Sequence, residues 1–183
     1  MRVLGLSGSL RRDSHNTRLL SGLAGLLPEG VELDVFADLA AIPPYSEDEE
    51  HRAPSAVAAL NAAIAAADAV IVVTPEYNHS LPGQLKNALD WVSRPAGRSA
   101  LRGKPAAVLG VSTGLFGAVW AQAEARKVLG AMGARVLDRE LPVPRAEEAL
   151  GTDGLPLDGE LVTALSSMLA ELLELAQDES LAA

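Results

Sequence analysis

Short apolar runs rich in β-branched residues alternate with stretches of helical spacing along the whole chain. This alternation constrains the fold more than any other feature. "RVLGL" (2–6) reads as a strand, and Leu19, Leu20, Leu23 and Leu27 follow at helical spacing. "VELDVF" (31–36) is a second strand, and Val57, Leu60, Ile64 and Ala67 mark an alanine-rich second helix. "AVIVVT" (69–74) is a continuous β-branched run, as expected of a central parallel strand covered on both faces. "LPGQLKNALDWV" (81–92) reads as a third helix, with Leu85, Leu89 and Val92 on one side. "PAAVLGVS" (105–112) is a fourth strand, and Ala121, Ala125, Val128 and Met132 describe a fourth helix. "ARVL" (134–137) is a short fifth strand, and Leu161, Leu165, Met168, Leu172 and Ala176 form the last helix.

Strand–helix alternation of this kind predicts an α/β fold, a parallel sheet with helices on both faces. Five strands in 183 residues favour a flavodoxin-like three-layer sandwich with strand order 2-1-3-4-5. A six-stranded Rossmann sheet is the other arrangement that the pattern allows. No composition break divides the chain, so residues 1–183 are read as a single domain. Two long connections stand out. Residues 43–54 form a proline-bounded acidic loop, expected to be a solvated connection, and residues 142–159 are a second loop, with a lid or a subunit contact as its candidate roles.

Composition narrows the chemistry. The chain has no cysteine, which removes disulfides, thiolate metal sites and thiol nucleophiles. His15, His51 and His79 show no ligand spacing, so no metal site is expected. A net charge of -9 disfavours nucleic acid as a partner. The start "MRVLGLSGSL" does not read as a signal peptide, and no apolar run approaches the ~20 residues of a membrane span. A cytoplasmic protein without a membrane partner is the expectation.

In a parallel sheet the strand-to-helix loops emerge at one edge. "SGSLRRDSHN", "PEYNHSLPG" and "STGLFG" should therefore converge, and they are rich in Gly, Ser, Asn and Pro. The first suits a phosphate. Ser9, Ser14 and Thr17 offer hydroxyls, Asn16 an amide, Arg11 a bidentate cation, and the helix start adds free N–H groups. It lacks the Gly-Lys-Ser/Thr of a Walker loop and the G-x-G-x-x-G spacing of a dinucleotide fingerprint. Hydroxyl and amide donors suit a phosphomonoester better than a pyrophosphate. The same residues also fit a plain N-cap with solvated arginines, and the loop alone leaves both open. The second loop has irregular backbone and carries Tyr77, which suits a flat heterocycle. The third offers Ser112 and Thr113 hydroxyls, with a backbone that Gly114 and Gly117 allow to close in.

Taken together, these motifs resemble those of the NAD(P)H-dependent FMN reductase family, in its quinone and chromate reductase branch. "GSLRRDSHN" resembles the family's phosphate loop, G-S-x-R-x-x-S-x-N. "PEYNHSLPGQLKNALDW" is similar to its ring-binding segment, and "VSTGLFG" resembles a weaker third loop. The resemblance covers residues 1 to about 140. It implies that Ser9, Arg11, Ser14, Asn16 and Thr17 hold the FMN phosphate. It places Pro75, Glu76, Tyr77 and Asn78 along the isoalloxazine, with His79 next, and Ser112, Thr113 and Gly114 on the other side. Position 79, often aromatic in relatives, is histidine here.

No acid–base pair or triad is visible, so no catalytic side chain is expected. The resemblance implies FMN as bound cofactor, NAD(P)H as co-substrate and a small-molecule electron acceptor, with ping-pong turnover on one open ring face. A flavodoxin-like electron carrier, or a non-catalytic flavin-binding or sensor module, is the competing reading. The nicotinamide preference and the acceptor stay open. Gln84, Asn87 and Trp91 lie off the apolar side of the third helix, and Trp120 lies off that of the fourth. Both tryptophans are thus expected on an outer patch. With the resemblance, this predicts a homodimer or homotetramer through helices 82–93 and 118–132.

Overall fold

The structure is a computed structural model that describes residues 1–180. One parallel sheet contains β1 (Arg2–Ser7), β2 (Glu32–Val35), β3 (Ala69–Thr74), β4 (Pro105–Val111), β5 (Arg135–Val136) and β6 (Pro142–Val143). The order is β2-β1-β3-β4-β5, the flavodoxin-like order, with β6 also pairing β4. The β-branched run of β3 is buried along its whole length between β1 and β4.

The helices are α1 (His15–Gly22), α2 (Ser55–Ala66), α3 (Gly83–Val92), α4 (Val119–Ala131), α5 (Ala146–Ala149) and α6 (Gly159–Ser180). Alternation along the strands sorts the core into two layers. Leu4, Leu6, Val70, Val72 and Val108 pack under α2, α3 and α4. Val3, Ile71, Val73, Leu109 and Val111 pack under α1 and α6. Among the described residues, no helix is long and apolar enough to cross a membrane.

Five expectations need correction. The fifth strand is shorter than 134–137. β5 pairs only Pro105 and Ala106, and β6 continues that side of the sheet at Gly110 and Val111. Between them, Leu137 still donates to the Ala106 carbonyl, and Leu141 N donates instead to Gln122 Oε1 on α4. The first helix stops at Gly22 and tightens into a 3-10 turn over Leu23–Leu26, so Leu27 lies outside it.

Trp91 is not on an outer patch. It is 2% exposed, because the face of α3 that carries Gln84, Asn87 and Trp91 binds the chain's own 39–45 segment. Gln84 Nε2 donates to the Leu39 and Ile42 carbonyls, both at 2.7 Å. Asn87 accepts from Tyr45 N and donates to the Pro43 carbonyl, each at 2.8 Å. Trp91 Nε1 donates to the same Pro43 oxygen at 2.9 Å. The acidic loop is consequently docked at its start. It then forms a 3-10 helix, Glu47–Arg52, where Glu50 accepts from the Tyr45 hydroxyl and pairs with Arg94.

Residues 142–159 do not form a free lid either. Val143 accepts from Ser112 N, and Ala146 N donates to the Ser112 carbonyl. Arg18 reaches the Gly151 carbonyl at 2.8 Å. Gly154, at φ +85, lies so close that a Cβ would sit 2.2 Å from the Arg18 carbonyl oxygen. The segment buttresses the first and third loops.

Candidate functional site

The loops after β1, β3 and β4 open at the carboxyl edge of the sheet, as the topology requires. In the first loop, Ser14 is the N-cap of α1, and its Oγ accepts from Thr17 N at 3.3 Å. Thr17 Oγ1 and Ser7 Oγ share a hydrogen bond of 2.8 Å. Ser9 Oγ accepts from Arg11 N at 3.3 Å. Among the described residues, the backbone N–H groups from Arg12 to Asn16 have no protein partner, and the first turn of α1 carries no acidic residue. A run of unpaired N–H groups at a helix start, beside hydroxyls, is a donor set for a phosphate.

Asn16 stands apart from this set. Its side chain is buried and is engaged with Val111: Nδ2 donates to the carbonyl at 3.1 Å, and Oδ1 accepts from the amide at 3.2 Å. The amide joins α1 to the end of β4, and only the backbone N–H of Asn16 faces the open donor run. Arg12, left out of the phosphate set by sequence reasoning, lines a shallow cavity with Ser14, Thr17 and Arg18. Arg11 is exposed and lines a different cavity, of about 370 Å3, with Gly8, Leu10, Tyr77, Pro82, Gly83 and Gln84. The first and second loops thus meet at that cavity. A larger one, of about 470 Å3, lies between the C-terminal ends of α3 and α4, away from the three loops.

The second loop begins at buried Pro75, whose carbonyl accepts from Thr74 Oγ1. Tyr77 and Ser80 bond reciprocally through their backbones, and Asn78 and His79 both have left-handed φ, 53 and 59. This is the primed hairpin turn, which Asn accepts readily and His less readily. Among the described residues, the N–H groups of Glu76, Asn78 and His79 have no protein partner. The Glu76 carboxylate points away from the cavity, to the N-terminus of α4, where Oε2 accepts from Trp120 N and Ala121 N. His79 is well exposed, with Nδ1 3.6 Å from Glu76 Oε1 and its ring edge-on to Trp120.

In the third loop, Ser112 is half-buried and Thr113 and Gly114 are exposed. The Gly114 carbonyl accepts from Arg145 N, and Thr113 lines a separate cavity with Leu115 and Arg145. Gly117 has φ +57, and a Cβ there would lie 2.5 Å from Pro142. Phe116 and Trp120 are exposed and meet edge-to-face with ring centroids 5.1 Å apart, so the rim on this side is aromatic.

The donor set fits a phosphate ester, and the cavity lined by Arg11, just before it in sequence, and Tyr77 fits a flat apolar group. The fold defines a flavodoxin-like protein, with the polar loops gathered at the strand-order switch. The family model for NADPH-dependent FMN reductase matches residues 1–148, and the chain belongs to that family. It is accordingly an NAD(P)H-dependent flavin oxidoreductase with FMN as cofactor. The chain is 40% identical over 174 residues to an NAD(P)H-dependent FMN reductase of Pseudomonas aeruginosa, covering 94% of this chain and 93% of the relative. It is 40% identical over 155 residues to a 2-hydroxy-1,4-benzoquinone reductase of a Burkholderia species, covering 84% of each. The structure of FerB from Paracoccus denitrificans, a flavoenzyme NAD(P)H:(acceptor) oxidoreductase, superposes with a TM-score of 0.86 at 35% identity, over 97% of each chain. At the level of fold alone, a flavodoxin of Pseudomonas aeruginosa superposes with a TM-score of 0.56 at 21% identity, over 97% of this chain and 99% of that one.

Proposed function

We propose that this oxidoreductase passes electrons from NAD(P)H to a quinone-type acceptor, in ping-pong fashion. The observation that carries the site assignment is the unpaired N–H run from Arg12 to Asn16, which directly follows Arg11, a residue lining the cavity shared with the second loop. Ser9, Ser14 and Thr17 hydroxyls and the Arg11 guanidinium join that run around the phosphate. Asn16 contributes its N–H and, through Val111, holds α1 in place. Backbone from Pro75 to His79 lines the ring, with Ser112, Thr113 and Gly114 on the far side.

Bound there, FMN supplies hydride acceptance from the nicotinamide and electron delivery to the acceptor. The chain's part is positional and electrostatic. The free N–H groups of Glu76, Asn78 and His79 offer preorganised donors for negative charge on the ring. Exposed Leu10 and Tyr77 keep an apolar mouth on the cavity, which suits a flat aromatic acceptor. The quinone class is supported by the benzoquinone reductase relative. Free flavin and chromate are further acceptors for the same open site, and the cytoplasm, where the nicotinamide pool resides, is the proposed location.

The proposed assembly is a homodimer, or a pair of dimers, through α3 and α4. Its anchor is the rim of Trp120, Phe116 and Leu115, exposed by 41%, 61% and 64%. Trp91 takes no part in it.

Anaerobic addition of NADH or NADPH to the FMN-loaded protein should bleach the flavin absorbance. A quinone added afterwards should restore it, with parallel double-reciprocal plots in steady state. Absence of nicotinamide-dependent bleaching would point instead to an electron carrier.

A further inference from the structure

The 77–80 hairpin combines two left-handed residues with high exposure. Tyr77, Asn78 and His79 are all exposed, and His79 has a side chain that disfavours φ 59. A strained turn persists only where its surroundings hold it. Two carboxylates do so here, and they work in opposite directions.

Glu76, just before the hairpin, sends its carboxylate to α4. It accepts from Trp120 N at 3.0 Å and from Ala121 N at 3.1 Å. Helix α4 needs this. Its N-cap residue is Ala118, in left-handed conformation and without a side-chain cap. Glu124, within α4, sends its carboxylate back to the hairpin. It accepts from Ser80 Oγ at 2.5 Å and from Leu81 N at 3.4 Å. Between the two ties the His79 ring meets the Trp120 indole edge-on, with centroids 4.4 Å apart. Both ends of the hairpin are therefore fastened to one helix.

We infer that Glu124, paired with Glu76, is a positioning residue: the two carboxylates latch the 77–80 hairpin to α4 and so place the second loop against the flavin cavity. Glu124 does not line that cavity; its effect passes through Ser80 and Leu81 to Tyr77, which does. The inference rests on the proposed flavin site for its functional consequence and on the hydrogen bonds alone for the latch itself.

The test separates these two layers. The chain has 2 tryptophans, so in a Trp91→Phe background the emission reports Trp120 alone. In that apoprotein, Glu124→Ala and Glu76→Ala should each raise acrylamide quenching of Trp120. Glu124→Gln keeps an acceptor oxygen and should recover most of the loss. In the FMN titration, Glu124→Ala should weaken binding by about tenfold, within the usual range of coupling between linked sites. The double alanine variant should fall short of the product of the single effects, because both ties hold one element. A folded Glu124→Ala protein with native Trp120 quenching and native FMN affinity overturns the latch, even if its melting temperature falls. If the wild-type protein itself retains no FMN, the flavin reading fails. The latch is then judged on quenching alone, where an unchanged signal overturns it and a raised one upholds it. If Glu124→Ala does not fold, Ser80→Ala removes the donor at the other end of the tie and gives the same readouts.

Discussion

Replacing Asn16 with alanine should damage the apoprotein before it damages flavin binding. The Asn16 amide occupies the Val111 N–H and C=O, and Val111 is 1% exposed. Alanine leaves both backbone groups buried without that partner. A buried group stranded in this way costs about 1–3 kcal/mol, so the pair amounts to about 2–6 kcal/mol before relaxation or water entry. A domain of this size has about 5–15 kcal/mol in hand. With a urea slope of about 2 kcal/mol/M, the apo unfolding midpoint should fall by about 1–3 M. Asn16→Asp should also be destabilising: the carboxylate still accepts from Val111 N–H but confronts the carbonyl oxygen with no donor. The assay is urea unfolding of apoprotein, followed by FMN titration of the folded fraction. If Asn16 instead served the phosphate through its side chain, the apo midpoint would stay put and FMN affinity alone would drop. That result would refute the reasoning.

Arg11→Ala removes a charge-assisted contact of about 1.5–3 kcal/mol. FMN binding should weaken about ten- to a hundredfold in fluorescence titration, with unfolding unchanged. Trp120→Glu should lower the sedimenting mass, whereas Trp91→Phe should leave it unchanged and cost about 1 kcal/mol for the lost bond to Pro43. The Ser80 hydroxyl, with lesser help from Leu81 N, Lys127 and Lys86 against the opposing cost of burial, holds the Glu124 carboxyl below its ordinary value. A lowered folded pKa adds stability that is complete above the unfolded value, near about 4.3, and is lost as pH falls through the folded value. The stability gap between wild type and Glu124→Gln should therefore be present at pH 7 and shrink in acid, as read by urea midpoints across pH.

The sheet was legible in the sequence wherever burial wrote a long signal. β3 and β4 are apolar along their length because both faces are covered. The fifth position was not, because β5 and β6 are two residues each and owe their pairing to β4. Side-chain direction was the weaker part of the site reading. Asn16 and Glu76 sit where the motif places them, yet their side chains turn to Val111 and α4. Trp91 was misplaced for a related reason. Helical spacing shows which residues share a face, not what meets that face. Here an irregular segment, 39–45, carries no periodicity to announce that it will cover Gln84, Asn87 and Trp91.

Charge at the carboxyl edge is sorted by the chain itself. Helices α1, α3 and α4 all begin there, and each helix start favours an anion. In a chain of net charge -9, a phosphate needs one such start kept free of the protein's own carboxylates. At α4 the place is taken, since Glu76 accepts from Trp120 N and Ala121 N. At α1 and α3 the first turns carry no acidic residue. On the proposed reading these two starts divide the ligand between them. The α1 start, flanked by Ser9, Ser14 and Thr17, takes the doubly charged phosphate. The α3 start, whose Gly83 and Gln84 line the cavity, would hold the ring end and supply positive potential there. On that reading the Glu76 carboxylate would direct the phosphate toward α1 by filling α4, while only the Glu76 backbone faces the ring.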